Sequence, residues 1–161
     1  EKDYSVREIS LSDVVHGAIA DNKYFLRQNN VAVTVEDVKY SIYSDDKWLR
    51  FILDQLISNA VKYRADHPVL HFFAVKKSDS IILSVSDNGI GIPQGDLPRI
   101  FEKGFTGQNG RTIHSSTGIG LYLCGRLCDK LGIGISASSE GKGTTISLSF
   151  HINDFVTGVQ G

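Results

Sequence analysis

The chain has 161 residues, 41% hydrophobic and 22% charged, with two cysteines and a formal net charge of −1. That is enough apolar chain to bury one sizeable core without disulfides or a structural metal. The near-neutral balance, with no basic block and no aromatic residues interleaved with Arg or Lys, argues against nucleic acid as a partner. No apolar run approaches the roughly 20 residues that span a bilayer and no secretory leader is visible, so any membrane attachment is expected in segments outside this chain.

In chain order, Ser12 is a candidate cap for a first helix running to about Gln28, with Val15, Ala18, Ile19, Phe25 and Leu26 inward. Short strands are predicted over 31–35 and 40–43. Ser44-Asp45-Asp46 then offers caps for a helix from about Lys47 to Arg64 with a broad apolar face. Gln55, Asn59, Lys62 and Tyr63 fall on one stripe of that helix, which so carries two amides, a cation and a phenol. An Asn carbonyl oxygen can ligate Mg²⁺, which keeps several waters and shares its shell with substrate phosphates; Lys62 could neutralise a phosphate, and Tyr63 could lie along a base or sugar. The same stripe is equally what a solvated face of an amphipathic helix looks like.

Strands over 69–76 and 80–86, joined through Lys77-Ser78-Asp79, lead into Asp87-Asn88-Gly89-Ile90-Gly91-Ile92-Pro93. A carboxylate at a strand end can accept a hydrogen bond from an exocyclic amine such as that of adenine, and side-chain-free glycines let a ring or phosphate approach the backbone. Asp-Asn-Gly is also ordinary turn chemistry. Between Phe101 and Thr117 the chain becomes polar and glycine-rich, the composition of a connection that moves or binds; Lys103 and Arg111 are its candidate phosphate contacts, and Phe101 and Phe105 its anchors. Gly118-Ile119-Gly120-Leu121 opens a further helix stopped by Gly132, and a glycine-rich helix start presents unpaired N–H groups to an anion. It is neither a Walker A loop nor a dinucleotide fingerprint. Strands over 134–138 and 144–150, joined through Glu140-Gly141-Lys142-Gly143, complete the set. Cys124 and Cys128 lie one turn apart without metal-ligand partners and read as small buried residues.

In this order and spacing, the elements resemble the GHKL superfamily of ATP-binding domains, and within it the catalytic domain of bacterial sensor histidine kinases. Asn59-Ala60-x-Lys62-Tyr63 looks like the N box, Asp87-x-Gly89-x-Gly91-Ile92 the G1 box, Phe101-Glu102-Lys103-Gly104-Phe105 the F box, and Gly118-Ile119-Gly120-Leu121 the G2 box. Gly141-Lys142-Gly143-Thr144 resembles the last Gly-x-Gly-Thr turn, where the Thr hydroxyl helps the aspartate read adenine. Phe105 to Arg111 and Asp46-Lys47-Trp48 look most like the small Gram-positive sensor kinases of envelope and peptide-antibiotic responses.

The resemblance implies a two-layer α/β sandwich of the Bergerat type, a mixed sheet with helices on one face and a flexible ATP lid. It spans about 1–152, with 153–161 a tail. It implies ATP and Mg²⁺ as ligands, with Asn59 on the metal. Asp87, Gly89, Gly91, Ile92 and Thr144 would face the base; Lys62, Tyr63, Lys103, Arg111, Gly118, Ile119, Gly120 and Leu121 would complete the nucleotide contacts.

The ATP-hydrolysing branches carry a Glu four residues before the magnesium-binding Asn; here that position is Gln55, an amide without useful basicity near neutral pH. The chain is therefore expected to hold ATP for another acceptor, a histidine on a separate dimerisation domain. None of His16, His67, His71, His114 and His151 sits in a motif of that kind. On this expectation the chain is a cytoplasmic fragment of a longer, membrane-anchored kinase that serves a response regulator. The alternatives are a GHKL ATPase or chaperone-type module and a nonenzymatic, nucleotide-regulated binding module.

Overall fold

A computed structural model of the chain describes residues 4–105 and 119–152. The elements, in order, are β1 (Arg7–Ser10), α1 (Leu11–Asp21), α2 (Lys23–Gln28), β2 (Ala32–Glu36), β3 (Ser41–Ser44), α3 (Asp46–Lys62), β4 (Val69–Lys77), β5 (Ser80–Asp87), a 3₁₀ turn (Leu97–Arg99), α4 (Gly120–Leu131), β6 (Gly134–Ser138) and β7 (Thr144–His151). Five strands form one sheet in the order β2-β4-β5-β7-β6, and β1 pairs with β3 in a separate ribbon. Only β2 and β4 run parallel, so the sheet is mixed.

Period-2 alternation decides which side of the sheet is covered. Leu70, Phe72 and Ala74 of β4, Ile81, Leu83 and Val85 of β5, and Ile146, Leu148 and Phe150 of β7 are all buried, under the apolar faces of the helices. α3 supplies Leu49, Ile52, Leu53, Leu56 and Ile57 and is flanked by α1 and α4. The other face carries His71 stacked on Phe73 and a ladder of hydroxyls, Ser84 to Ser147 at 3.2 Å and Ser86 to Thr145 at 2.9 Å. Helices on one side of a mixed sheet give the two-layer sandwich expected from the sequence.

Local signals explain most boundaries. Asp45 caps α3, its Oδ1 accepting the Trp48 N–H at 3.1 Å, and Gly132, at φ +73°, ends α4 where a left-handed residue is needed. The first helix differs from expectation. Ser10, not Ser12, is the cap and accepts the Asp13 N–H at 3.2 Å, while Ser12 turns to the His16 ring. The helix also breaks at Asn22, whose Nδ2 donates to the Ala18 carbonyl at 2.8 Å and to Asp54 Oδ1 on α3 at 2.9 Å. Past that break Phe25, expected inward, is 38% exposed. Cys124 and Cys128 are buried free thiols; burial pushes Cys128 up to about 12 and raises Cys124 as well, so both are inert neutral groups in the α3–α4 packing.

Candidate nucleotide site

Asp87 is the last residue of β5 and stands opposite Thr144, the first residue of β7. Strand pairing thus brings together two residues that lie far apart in the sequence. Asp87 Oδ1 accepts the Gly89 N–H at 2.8 Å. Burial raises the Asp87 pKa above the usual carboxylate value, while the backbone N–H groups of Gly89 and Thr144 pull it back down. A carboxylate offers about four acceptor positions, so two backbone bonds leave room for a ligand amine.

The glycines of this loop face backbone rather than open space. A Cβ on Gly89 would lie 2.5 Å from the Tyr63 carbonyl oxygen, and the same oxygen accepts the Ile90 N–H at 3.0 Å. Gly91 has φ +83°, and a Cβ there would meet the Gly141 carbonyl oxygen at 2.5 Å. The end of α3, the loop after β5 and the turn before β7 are thereby held to one another, with Ile92 half-buried beside them.

Along the C-terminal half of α3, Gln55, Asn59, Lys62 and its cap Tyr63 are each half-buried on their common stripe. Gly120 opens α4 directly against Gln55: a Cβ there would lie 2.7 Å from Gln55 Oε1. Ile119, at the N-cap, has no side-chain acceptor to give the first turn, and Leu121 is half-buried. Asn59 lies one turn from both Gln55 and Tyr63, hence between the start of α4 and the loop after β5. The sequence-predicted residues near the base and on the α3 stripe are brought together; Arg111 and Gly118, with most of the expected lid, lie outside the described residues. Lys103 is exposed with its Nζ 6.0 Å over the Tyr122 ring, Phe105 lies under the Arg99 guanidinium at 4.4 Å, and Phe101 packs beside Gly125.

Among the described residues, no group of three His, Cys, Asp or Glu side chains stands together as a metal cage. The half-buried Asn59 offers a carbonyl oxygen of the kind that can join a magnesium shell. A broad hollow of about 630 Å³ opens on the uncovered sheet face, lined in part by Phe73, Val75, Ile82 and Ser147. None of the motif residues reaches it, so its size does not make it the site. Sequence reasoning missed Asn88 and Ser139. Asn88 clamps the loop before β4, accepting the Val69 N–H at 2.8 Å and donating to the His67 carbonyl at 3.1 Å. Its place in Asp-Asn-Gly was the available signal. Ser139 sits in a run of serines that gave none.

Residues 44–154 match the profile of the histidine kinase-, DNA gyrase B-, and HSP90-like ATPase family. The chain belongs to that family. It is 40% identical over 156 residues to the sensor histidine kinase YxdK of Bacillus subtilis (strain 168), covering 93% of this chain and 47% of that protein. It is 34% identical over 155 residues to the sensor protein kinase GraS of Staphylococcus aureus (strain MRSA252), covering 95% of this chain and 44% of that protein. The chain spans about half the length of these curated relatives. A solved nucleotide-free catalytic domain of the histidine kinase ThkA superposes with a TM-score of 0.79 at 18% identity, covering 92% of this chain and 97% of that one. The resemblance to Gram-positive sensor kinases and the α/β sandwich of a histidine kinase catalytic domain therefore hold for this member of the ATPase family, whose common ligand is ATP.

Proposed function

We propose that this domain binds Mg-ATP and donates the γ-phosphoryl group to a histidine on the dimerisation domain of the same sensor kinase. The single observation that carries this is Gln55 at the start of α4. The side chain packed against Gly120 is an amide, so the position nearest the expected phosphates holds no base that could activate water. In this assignment Asp87, with Thr144, accepts the adenine amine, and Gly89, Gly91 and Ile92 line the base. Asn59 supplies a metal ligand. Lys62, Tyr63, Lys103 and Arg111, with Gly118, Ile119, Gly120 and Leu121, hold ribose and phosphates. Mg²⁺, when bound, neutralises phosphate charge and fixes its geometry.

Transfer then needs placement more than side-chain chemistry. The bond from the γ-phosphorus to the β–γ bridging oxygen breaks, a phosphorus–nitrogen bond forms to the imidazole, and ADP leaves. A response regulator would take the phosphoryl group onward; a solved structure of ThkA in complex with the response regulator TrrA is similar in fold to this chain. No helix among the described residues is long and apolar enough to cross a membrane, and we place the domain on the cytoplasmic side of a kinase anchored through other segments.

The test is ADP release by the purified chain at saturating Mg-ATP, with and without the histidine-bearing dimerisation domain of the same kinase. Negligible release alone and a phosphorylated histidine helix in the mixture are expected. Steady release by the chain alone, abolished by Asp87→Asn, would make it an ATPase; binding without transfer in the full-length protein would make it a regulatory nucleotide module.

A further inference from the structure

Ser139 is 3% exposed and belongs to none of the nucleotide motifs, yet its side chain joins two of them. Its hydroxyl accepts the Ile92 N–H at 2.9 Å and donates to the Gly143 carbonyl at 2.5 Å. Its own carbonyl accepts from the Gln94 side-chain amide. One residue thus straps the loop after β5 to the turn before β7, reinforced by a Gly143 N–H to Gly89 carbonyl bond of 2.8 Å. Only a group that accepts and donates at once can make both hydroxyl bonds; an alanine would take this partner from the part-buried Ile92 N–H and from the buried Gly143 carbonyl.

The position of this strap matters because the β5–β7 ladder ends at the Asp87–Thr144 pair. Beyond that pair the spacing of the two chains rests on the Gly143 N–H to Gly89 carbonyl bond and on the two bonds of the Ser139 hydroxyl. The glycines show how close the two loops are held: a Cβ on Gly91 would lie 3.1 Å from Ser139 Oγ, and one on Gly143 would lie 2.5 Å from the Asp87 carbonyl oxygen.

We infer that Ser139 is the positioning residue for base recognition: by tying Ile92 to Gly143 it sets the spacing of Asp87 and Thr144, and with it the preference for adenine over other bases. This rests on Asp87 and Thr144 being the adenine contacts. Ser139 acts through its backbone partners Ile92 and Gly143.

The experiment is calorimetric titration of ATP and GTP into the whole chain, as wild type, Ser139→Ala and Gln94→Ala, alongside apo thermal melts. Wild type is expected to prefer ATP. Ser139→Ala is expected to lose about tenfold in ATP affinity while GTP binding changes little, so that the ratio of the two affinities collapses. A residue that merely supports the fold would lower the melting temperature and leave that ratio unchanged, and a folded Ser139→Ala protein with wild-type selectivity overturns the proposal. Should Ser139→Ala fail to fold, exposed Gln94 decides: its removal cuts the second strap and is expected to lower the same ratio about threefold, and an unchanged ratio refutes the role. A wild-type chain that binds ATP no better than GTP would instead refute the adenine assignment itself.

Discussion

Asp45 and Asp87 each stand at the end of a regular element among backbone N–H groups, and their pKa values move in opposite directions. Burial alone would raise both. At Asp45 the N–H groups of Ser5, Trp48 and Lys47, with the Lys47 charge, outweigh it and hold the carboxyl below 3.8. At Asp87 burial outweighs the N–H groups of Gly89 and Thr144, and the carboxyl stays raised. The first carboxylate has its charge consumed by the fold, tying the incoming chain at Ser5 (2.6 Å) to the cap of α3. The second has its charge opposed by burial and keeps spare acceptor capacity, the combination found at binding sites and the one the proposed adenine contact would use.

Exchanging the two side chains for neutral ones should therefore separate binding from stability. Asp87→Asn is expected to lower ATP affinity by about a hundredfold or more, while the apo protein melts no lower than wild type because a buried charge is gone; thermal shift with and without Mg-ATP reads both. Asp45→Ala should do the reverse, costing about 2 kcal/mol of unfolding free energy in urea while the folded protein keeps its ATP affinity. A loss of ATP affinity in folded Asp45→Ala would dissolve the contrast.

Asn59→Ala sharpens it from a third side. ATP binding should weaken about tenfold in Mg²⁺ and hardly at all in EDTA, so that the metal dependence disappears while Asp87 continues to hold the base.

Acid gives the smallest effect and the clearest sign. Asp45, depressed when folded, contributes stability that is complete above its ordinary pKa near 3.8 and is lost as pH falls through its lower folded value. Asp87, raised when folded, does the opposite: protonation relieves its buried charge as pH falls through a value above 3.8, adding slightly to stability while removing an acceptor for the base. ATP affinity should consequently decline with acid before the stability difference between wild type and Asp45→Ala does. Titration calorimetry and urea melts from pH 7 down to about 2.5 test that order, the Asp45 difference being lost only below its ordinary pKa.

The site was legible where one residue's chemistry announces its role. A strand ending on Asp87 with glycines behind it, the helix that carries the α3 stripe, and Gly132 as a stop are local patterns, and the structure has these elements where the sequence put them. What could not be read depends on partners distant in sequence. β1 is four residues long, half of them exposed, and exists because β3 lies beside it. The helix break at Asn22 is fixed by Asp54 of α3. Ser139 is one serine among Ser136, Ser138 and Ser139, and nothing in that run says which of them will meet Ile92.

The strand order also has a consequence for how the chain is made. Among the described strands β7 comes last in the sequence, yet it fills the gap between β5 and β6. Until it arrives, β5 and β6 present two open edges to other nascent chains, and Asp87 has no Thr144 across from it. The β5–β7 pairing that completes the sheet joins residues about 60 positions apart in the chain, and such distant pairing is slow to form. A chain cut before residue 144 would keep both strand edges open and leave Asp87 without the residue it pairs with.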